Sequence, residues 1–177
     1  MRTFDELEAA YRMLPPPRGR LKLIVVRRSE GAHDTPLFAR LDVDEGLEGD
    51  RWARGNRDPG SQLTLMNAGV AGVVAAGGPE PEHMAGDNLL VDFDLGAVVA
   101  GTRVRVGDAV VEITAKPHTG CKKFSARFGQ DALRWVNWHE HQDRRLRGVH
   151  ARVVVAATVA VGDPVEMLPP ATPDAVR

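Results

Sequence analysis

The chain has 177 residues, 43% of them hydrophobic, which is enough for one domain with a real core and too few for two comfortable ones. Lys and Arg total 23 against 24 Asp and Glu, so the net charge is −1, which argues against a globally basic nucleic-acid binder or a polybasic membrane-surface protein. The single cysteine excludes an intramolecular disulfide, a Cys-rich zinc site and an iron–sulfur cluster. The opening MRTFDELEAAYR has no apolar signal-peptide core, and the longest apolar stretch, residues 153–161, is too short to cross a bilayer. A cytoplasmic, soluble protein with neither nucleic acid nor membrane as partner is expected.

Residues 3–14 predict a short helix. Thr3 caps it, Glu6 follows at capping-box spacing, and Phe4, Leu7, Ala10, Tyr11 and Leu14 share a face. Pro15, Pro16 and Pro17 stop it. Residues 1–19 therefore read as a helix and Pro-rich linker packed against the domain. Strands are predicted over 21–26, 62–66, 88–92, 102–106, 109–114, 149–158 and 164–168. Gly107-Asp108 and Val161-Gly162-Asp163 supply hairpin turns. Two further helices are predicted. One spans 67–76, with Asn67 as cap and Gly77-Gly78 as stop. The other spans 131–146, with Leu133, Trp135 and Val136 on its apolar side. The fold expected is mainly β, a barrel or sandwich with peripheral helices, over residues 20–168. Residues 169–177 read as a loose tail.

Phosphate-loop, dinucleotide and nucleophile-elbow motifs are absent. His139 and His141 would point roughly 200° apart on a helix and so share no metal. His118 and Cys121 make only half a zinc site. Charge, however, is concentrated: residues 116–152 hold nine Lys and Arg against three Asp and Glu. That pattern suggests a local anion site. The plainer reading places Arg144, Arg145 and Arg147 on a solvated helix end that suits cations.

Cys121 lies in this segment, on a turn forced by Pro117 and Gly120 at a strand end. Lys122 and Lys123 favour its thiolate, as His118 would if protonated. Gly120 would let a ligand approach the backbone closely. Such a thiolate can bind a soft metal, carry a sulfane sulfur or act as a nucleophile. The alternative is a small buried structural cysteine.

An ordered series of motifs runs along the chain: GLEGDRW at 46–52, LTLMN at 63–67, AGDNL at 85–89 and a hairpin with Gly101 and Gly107. PHTGCKKF follows at 117–124, then Arg127, Phe128 and Gly129, then Leu146, Arg147 and Gly148, and finally Val161, Gly162 and Asp163. In this order, and with its only cysteine at the family's cysteine position, the chain resembles the MOSC family, named for the C-terminal domain of molybdenum-cofactor sulfurases. The resemblance covers about residues 20–168. Asp87 stands where many members have Glu, Trp52 where many have His, and Ala157 near a frequent Gly.

The resemblance implies a MOSC-like β-barrel in a stand-alone, bacterial-type member. It implies the molybdenum cofactor, with Cys121 as metal ligand or persulfide carrier. It also implies a small-molecule substrate and, as partner, an electron-transfer reductase or a molybdenum-cofactor enzyme. Relatives include reductases of N-hydroxylated compounds. On this basis Cys121 and His118 are the candidate catalytic residues, His118 as proton shuttle or as a residue that shapes the loop. Lys122, Lys123 and Arg127 are candidate phosphate contacts. Arg51 would offer a fork to a phosphate or pterin carbonyl, or else pair with Asp50. Asn88 would read a pterin edge or form a local turn, and Asp87 would hold a cation of the site or a loop amide. Arg147 would reach the site from a helix end. Trp52, Trp135 and Trp138 are expected to pack rather than stack on a ligand. The alternatives to an enzyme are a non-catalytic cofactor or sulfur carrier, and an anion-binding module with a structural cysteine.

Overall fold

A computed structural model of the chain describes residues 1–29, 31–55 and 57–169. The expected tail lies, from residue 170 on, outside the described residues. Seven strands form one sheet: β1 (Arg20–Ile24), β6 (Leu63–Asn67), β7 (Leu89–Asp92), β8 (Arg103–Val106), β9 (Ala109–Ile113), β10 (Val149–Val155) and β12 (Val165–Met167). Their order is β1-β7-β6-β10-β9-β8-β12. Only β6 and β7 run parallel, joined through helix α2 (Ala68–Ala75). The two ends of the sheet meet. Leu21 N–H donates to Asp163 O at 2.9 Å, and Val165 N–H donates to Gly19 O at 2.9 Å. This is a nearly closed barrel, which leaves few edge groups unpaired.

Side-chain alternation splits the core in two. Leu63, Leu65, Leu89 and Val91 point into the barrel with Val104, Val111, Ala151 and Val153. Met66 and Leu90, one residue out of phase, point outward under the helices. Both faces of β6 and β7 are thus buried, which is why LTLMN and LLVD read as continuous apolar runs. The helical layer comprises α1 (Phe4–Arg12), α2, α3 (Lys122–Phe128) and α4 (Gln130–Val136), around Leu7, Val70, Phe124, Phe128 and Trp135. Gly148 is required where β10 begins. It has φ +92°, and a Cβ there would meet Leu65 O.

Three predicted elements are redrawn. The run 21–26 divides at Val25, and β2 (Val26–Ser29) turns away to pair with β3 (Ala32–Asp34). The run 149–158 divides after Val155, and β11 (Ala157–Ala160) joins β4 (Phe38–Asp42) and β5 (Gly46–Leu47) in a separate three-stranded sheet. The helix 131–146 ends at Val136, and residues 139–144 form 3-10 turns instead. Side-chain bonds override helix propensity there: Asn137 clamps Gly120 of the cysteine loop, and His141 Nδ1 turns back to lie 2.8 Å from Trp135 O.

The capping box at Thr3 and Glu6 forms as expected. One face of α1 is tied down by Glu8, whose carboxylate accepts from Trp135 Nε1 at 3.1 Å and from Arg144 Nη1 at 3.0 Å. Arg12 Nε donates to it as well, at 3.1 Å. Burial opposes the charge, but these donors outweigh it and lower the Glu8 pKa from 4.5 to about 2. A depressed carboxylate stabilises the fold above its unfolded pKa and loses that contribution as the pH falls through the folded one. Glu8→Gln is therefore expected to lower unfolding free energy by about 1–2 kcal/mol at pH 7. In urea titrations the gap from wild type should narrow as the pH approaches 3. A gap that stays constant or widens would contradict this role.

Candidate functional site

The cysteine loop leaves β9 at Ile113 and is pinned at two points. Thr114 Oγ1 donates to Gly60 O at 2.6 Å, and Asn137 exchanges hydrogen bonds with the backbone N–H and C=O of Gly120. Gly120 faces Leu133, Val136 and Asn137, so its missing side chain permits packing on α4 rather than the approach of a ligand. Cys121 follows, exposed, immediately before α3, which is not among the helices expected from the sequence. Phe124 and Phe128, four residues apart, are the buried pair that make α3 amphipathic. Burial opposes ionisation of the Cys121 thiol. Backbone N–H groups of Phe124 and Lys123, with the charges of Arg147 and Lys123, outweigh it and lower the thiol pKa.

The thiol borders a cavity of about 320 Å³, hereafter the front cavity. Five cationic residues line it: Arg27, Arg51, Lys123, Arg127 and Arg147. No Asp or Glu does. Arg51 makes no side-chain hydrogen bond or ion pair among the described residues, so its fork is available to a ligand. Asp50 accepts from Arg27 instead of Arg51. Arg127 already donates to Met84 O at 2.6 Å.

One wall is a buried ionic cluster. Arg147 Nη1 donates to Asp87 Oδ2 at 2.5 Å and Nη2 to Ala85 O at 3.2 Å. His118 Nδ1 stands 3.6 Å from Asp87 Oδ1, beyond hydrogen-bond reach. Asp87 Oδ1, His118 Nδ1 and Arg147 Nε are buried without a partner among the described residues. Burial raises the Asp87 pKa, against the pull of Arg147. Burial also lowers that of His118 well below its usual value, and the neighbouring Arg147, His150 and Arg27 add to the effect. His118 is therefore a neutral imidazole at pH 7. His150 packs on it with ring centroids 4.4 Å apart. His150 Nδ1 lies 3.2 Å from Lys116 O, which can only accept, so Nδ1 carries the proton and Nε2 is bare. His33, across the cavity, is fixed the same way by His83 O at 3.1 Å.

A second part of the lining, Arg27 and Trp52, rests on Asp50. Its carboxylate accepts from the Arg27 backbone N–H, Nε and Nη2, each at 2.9 Å. It also accepts from Trp52 N–H at 2.9 Å and from Asn88 Nδ2 at 3.0 Å. Asn88 in turn accepts from Thr64 N–H and Oγ1, stitching β6 to the residue before β7.

The structure thus brings His118, Cys121, Arg51, Lys123, Arg127 and Arg147 to one cavity. Lys122 is exposed and does not line it. Asp87 and Asn88 lie behind the wall, 1% and 0% exposed, holding Arg147 and Asp50. Arg147 arrives from the loop before β10 and not from a helix end, because α4 stops ten residues earlier in an early C-cap at Asn137. Among the tryptophans, Trp135 is core, Trp138 is half-buried, and Trp52 is half-buried against the cavity. Sequence reasoning missed Arg27, His33, Thr64 and His150. Arg27 and His33 lie on the β2–β3 hairpin, for which no strand was predicted. The alternation in β10 does place His150 opposite the buried Val149 and Ala151, a signal that was present.

A cationic cavity bordered by a thiol of lowered pKa, on the outer face of a nearly closed barrel, matches a known class. The family model for the MOSC domain matches residues 59–166, and the chain belongs to that family. Solved structures share the fold. The YUAD protein from Bacillus subtilis superposes with TM-score 0.62 at 16% identity, over 84% of this chain and 94% of its own. YiiM from Escherichia coli superposes with TM-score 0.58 at 19% identity, over 87% of this chain and 72% of its own. YiiM from Geobacillus stearothermophilus gives 0.56 at 13% identity, over 85% and 75%. A comparison with curated proteins finds no significant sequence match. Among the described residues, no helix is long and apolar enough to cross a membrane.

Proposed function

We propose that the front cavity binds the molybdenum cofactor and that the protein reduces N–O bonds of N-hydroxylated small molecules with electrons from a separate reductase. The observation that carries this reading is the pairing of Cys121, a thiol with lowered pKa, with five cationic residues in one cavity. The donor set fits the cofactor: a soft thiolate suits molybdenum, and Arg51 and Lys123 suit an anionic phosphate tail. The cavity volume lies at the lower end of the small-molecule range. When bound, the cofactor would supply the two-electron chemistry.

The chain's own residues do the rest. Arg51 and Lys123 bind and orient anionic groups. Arg27, held by Asp50, adds positive charge with three of its five side-chain N–H donors already used. His118 holds or moves a proton at its cavity-facing nitrogen, while Asp87 sits behind Nδ1 to favour the protonated ring once it forms. His150 presents a bare Nε2, an acceptor that orients an N–H or O–H of the substrate.

The test is reduction of an N-hydroxylated base by cofactor-loaded protein with an artificial electron donor. His118→Ala should lower kcat by about 100-fold with cofactor content unchanged. Full activity in His118→Ala would remove the histidine from the mechanism, and no turnover with any donor would overturn the reductase reading. A second reading is favoured by the exposure of Cys121, which makes it accessible to another protein: the thiol would carry a sulfane sulfur for transfer. That reading predicts cyanide-labile sulfur on Cys121 and no reductase activity.

A further inference from the structure

Behind the front cavity lies a larger one, of about 440 Å³. It opens between the end of β9, the turn leading to the cysteine loop, and the segment joining α4 to β10. Its floor is apolar and drawn from the edge of both cores: Val98, Ile113, Val136 and Val149 are all buried. On its rim stand the half-buried Trp138 and the exposed Arg145. Among the described residues, no Asp or Glu lines it.

Three features at the rim point to an anion. The neighbouring arginines are engaged, Arg144 by Glu8 and Arg147 by Asp87, whereas the Arg145 side chain has no hydrogen bond or ion pair among the described residues. The Trp138 indole N–H also has no acceptor among the described residues. Finally, Arg145 is one of two described non-glycine residues in the left-handed region, with φ 50°. A long charged side chain is thus held at a backbone position that would favour Gly or Asn.

We propose that this rear cavity is a binding site for a small ring-bearing carboxylate. The ring lies on the Val98, Ile113, Val136 and Val149 floor, and the carboxylate accepts from Arg145 and from the Trp138 indole N–H. Burying apolar area supplies the attraction, and the unpaired guanidinium supplies the preference for an anion over a neutral isostere. His118 and Arg147 line both cavities, so an occupant of the rear one lies a single side chain from the front one. The proposal does not depend on what the front cavity holds.

The test is titration of the full chain with benzoate, and with benzyl alcohol as the neutral control, followed through tryptophan indole N–H resonances. The three tryptophans occupy different places: Trp138 at the rear cavity, Trp52 at the front one and Trp135 in the core. Benzoate should shift the Trp138 resonance saturably and leave Trp52 in place. Benzyl alcohol should bind at least about tenfold more weakly. Arg145→Asn keeps a residue suited to the left-handed backbone and should bring benzoate down to the level of the alcohol. A missing or non-saturable shift at Trp138, a dominant shift at Trp52, or equal affinity for the two probes would each overturn the assignment.

Discussion

Arg147→Met is expected to destabilise the fold by about 3–5 kcal/mol, because it leaves the Asp87 carboxylate buried without its counter-charge. Asp87 is 1% exposed, and Arg147 supplies the hydrogen bond to it, at 2.5 Å. The loss should respond to pH in a specific direction. Burial raises the Asp87 pKa in the folded state, so its charged form opposes folding at neutral pH. The Arg147→Met deficit should therefore shrink as the pH falls and Asp87 takes up a proton. Replacing both partners, Asp87→Leu with Arg147→Met, should recover much of the stability, since an apolar pair of similar volume leaves no orphaned charge. Urea unfolding of the two single variants and the double variant measures the coupling. A single-variant loss under about 1 kcal/mol, or a double variant no better than the worse single, would contradict the buried pair's role. Loss of Arg147 also removes a charge that depresses protonation of His118, so the imidazole pKa should rise in the variant.

The second large effect is expected at Asp50. Asp50→Ala removes the acceptor for the Arg27 backbone and side chain, the Trp52 N–H and the Asn88 amide together. Asp50 is 1% exposed, so these donors cannot all turn to water. The expected loss is about 3–5 kcal/mol, again dominated by the partner left unpaired, here Arg27. The pH trend is opposite to that at Asp87. Burial opposes the Asp50 charge, but the Arg27 bonds outweigh it and lower the pKa from 3.8. Its contribution is therefore present at neutral pH and fades as the pH drops below that unfolded value. Asp50→Asn keeps the shape and should lose less than Asp50→Ala. Guanidinium denaturation of both variants checks the order, and equal stability of Asp50→Ala and wild type would show that GLEGDRW has no structural role at this aspartate.

Much of the framework was legible because it follows from local rules. The Thr3 capping box, the Asn67 cap, the Gly107-Asp108 turn and the long β6 and β7 runs all form where residue type and spacing put them. The small sheet of β4, β5 and β11 was not legible. A continuous valine and alanine run carries no mark of the point where the chain changes sheets. The shortened α4 had no breaker residue to announce it, since Asn137 is drawn out of helix by its bond to the cysteine loop and His141 turns back onto Trp135 O. The site divides in the same way. Cys121 and its basic neighbours stand out in the sequence as chemistry on a turn. Asp87 and Asn88 also stand out within AGDNL, but only the fold shows that they act from behind the wall. Arg27 stands beside Arg28 just past the predicted strand 21–26, and nothing local distinguishes it from a solvated surface charge.

The central claim is that the Cys121 thiol and the cationic front cavity hold the molybdenum cofactor. The most direct measurement is molybdenum and pterin content in wild type and Cys121→Ser, expressed in a cofactor-producing host and purified without oxygen. Near-stoichiometric metal and pterin in wild type, with metal lost from Cys121→Ser in a protein of unchanged fold, is the expected result. Wild type without either component, or Cys121→Ser that keeps its metal, would contradict it.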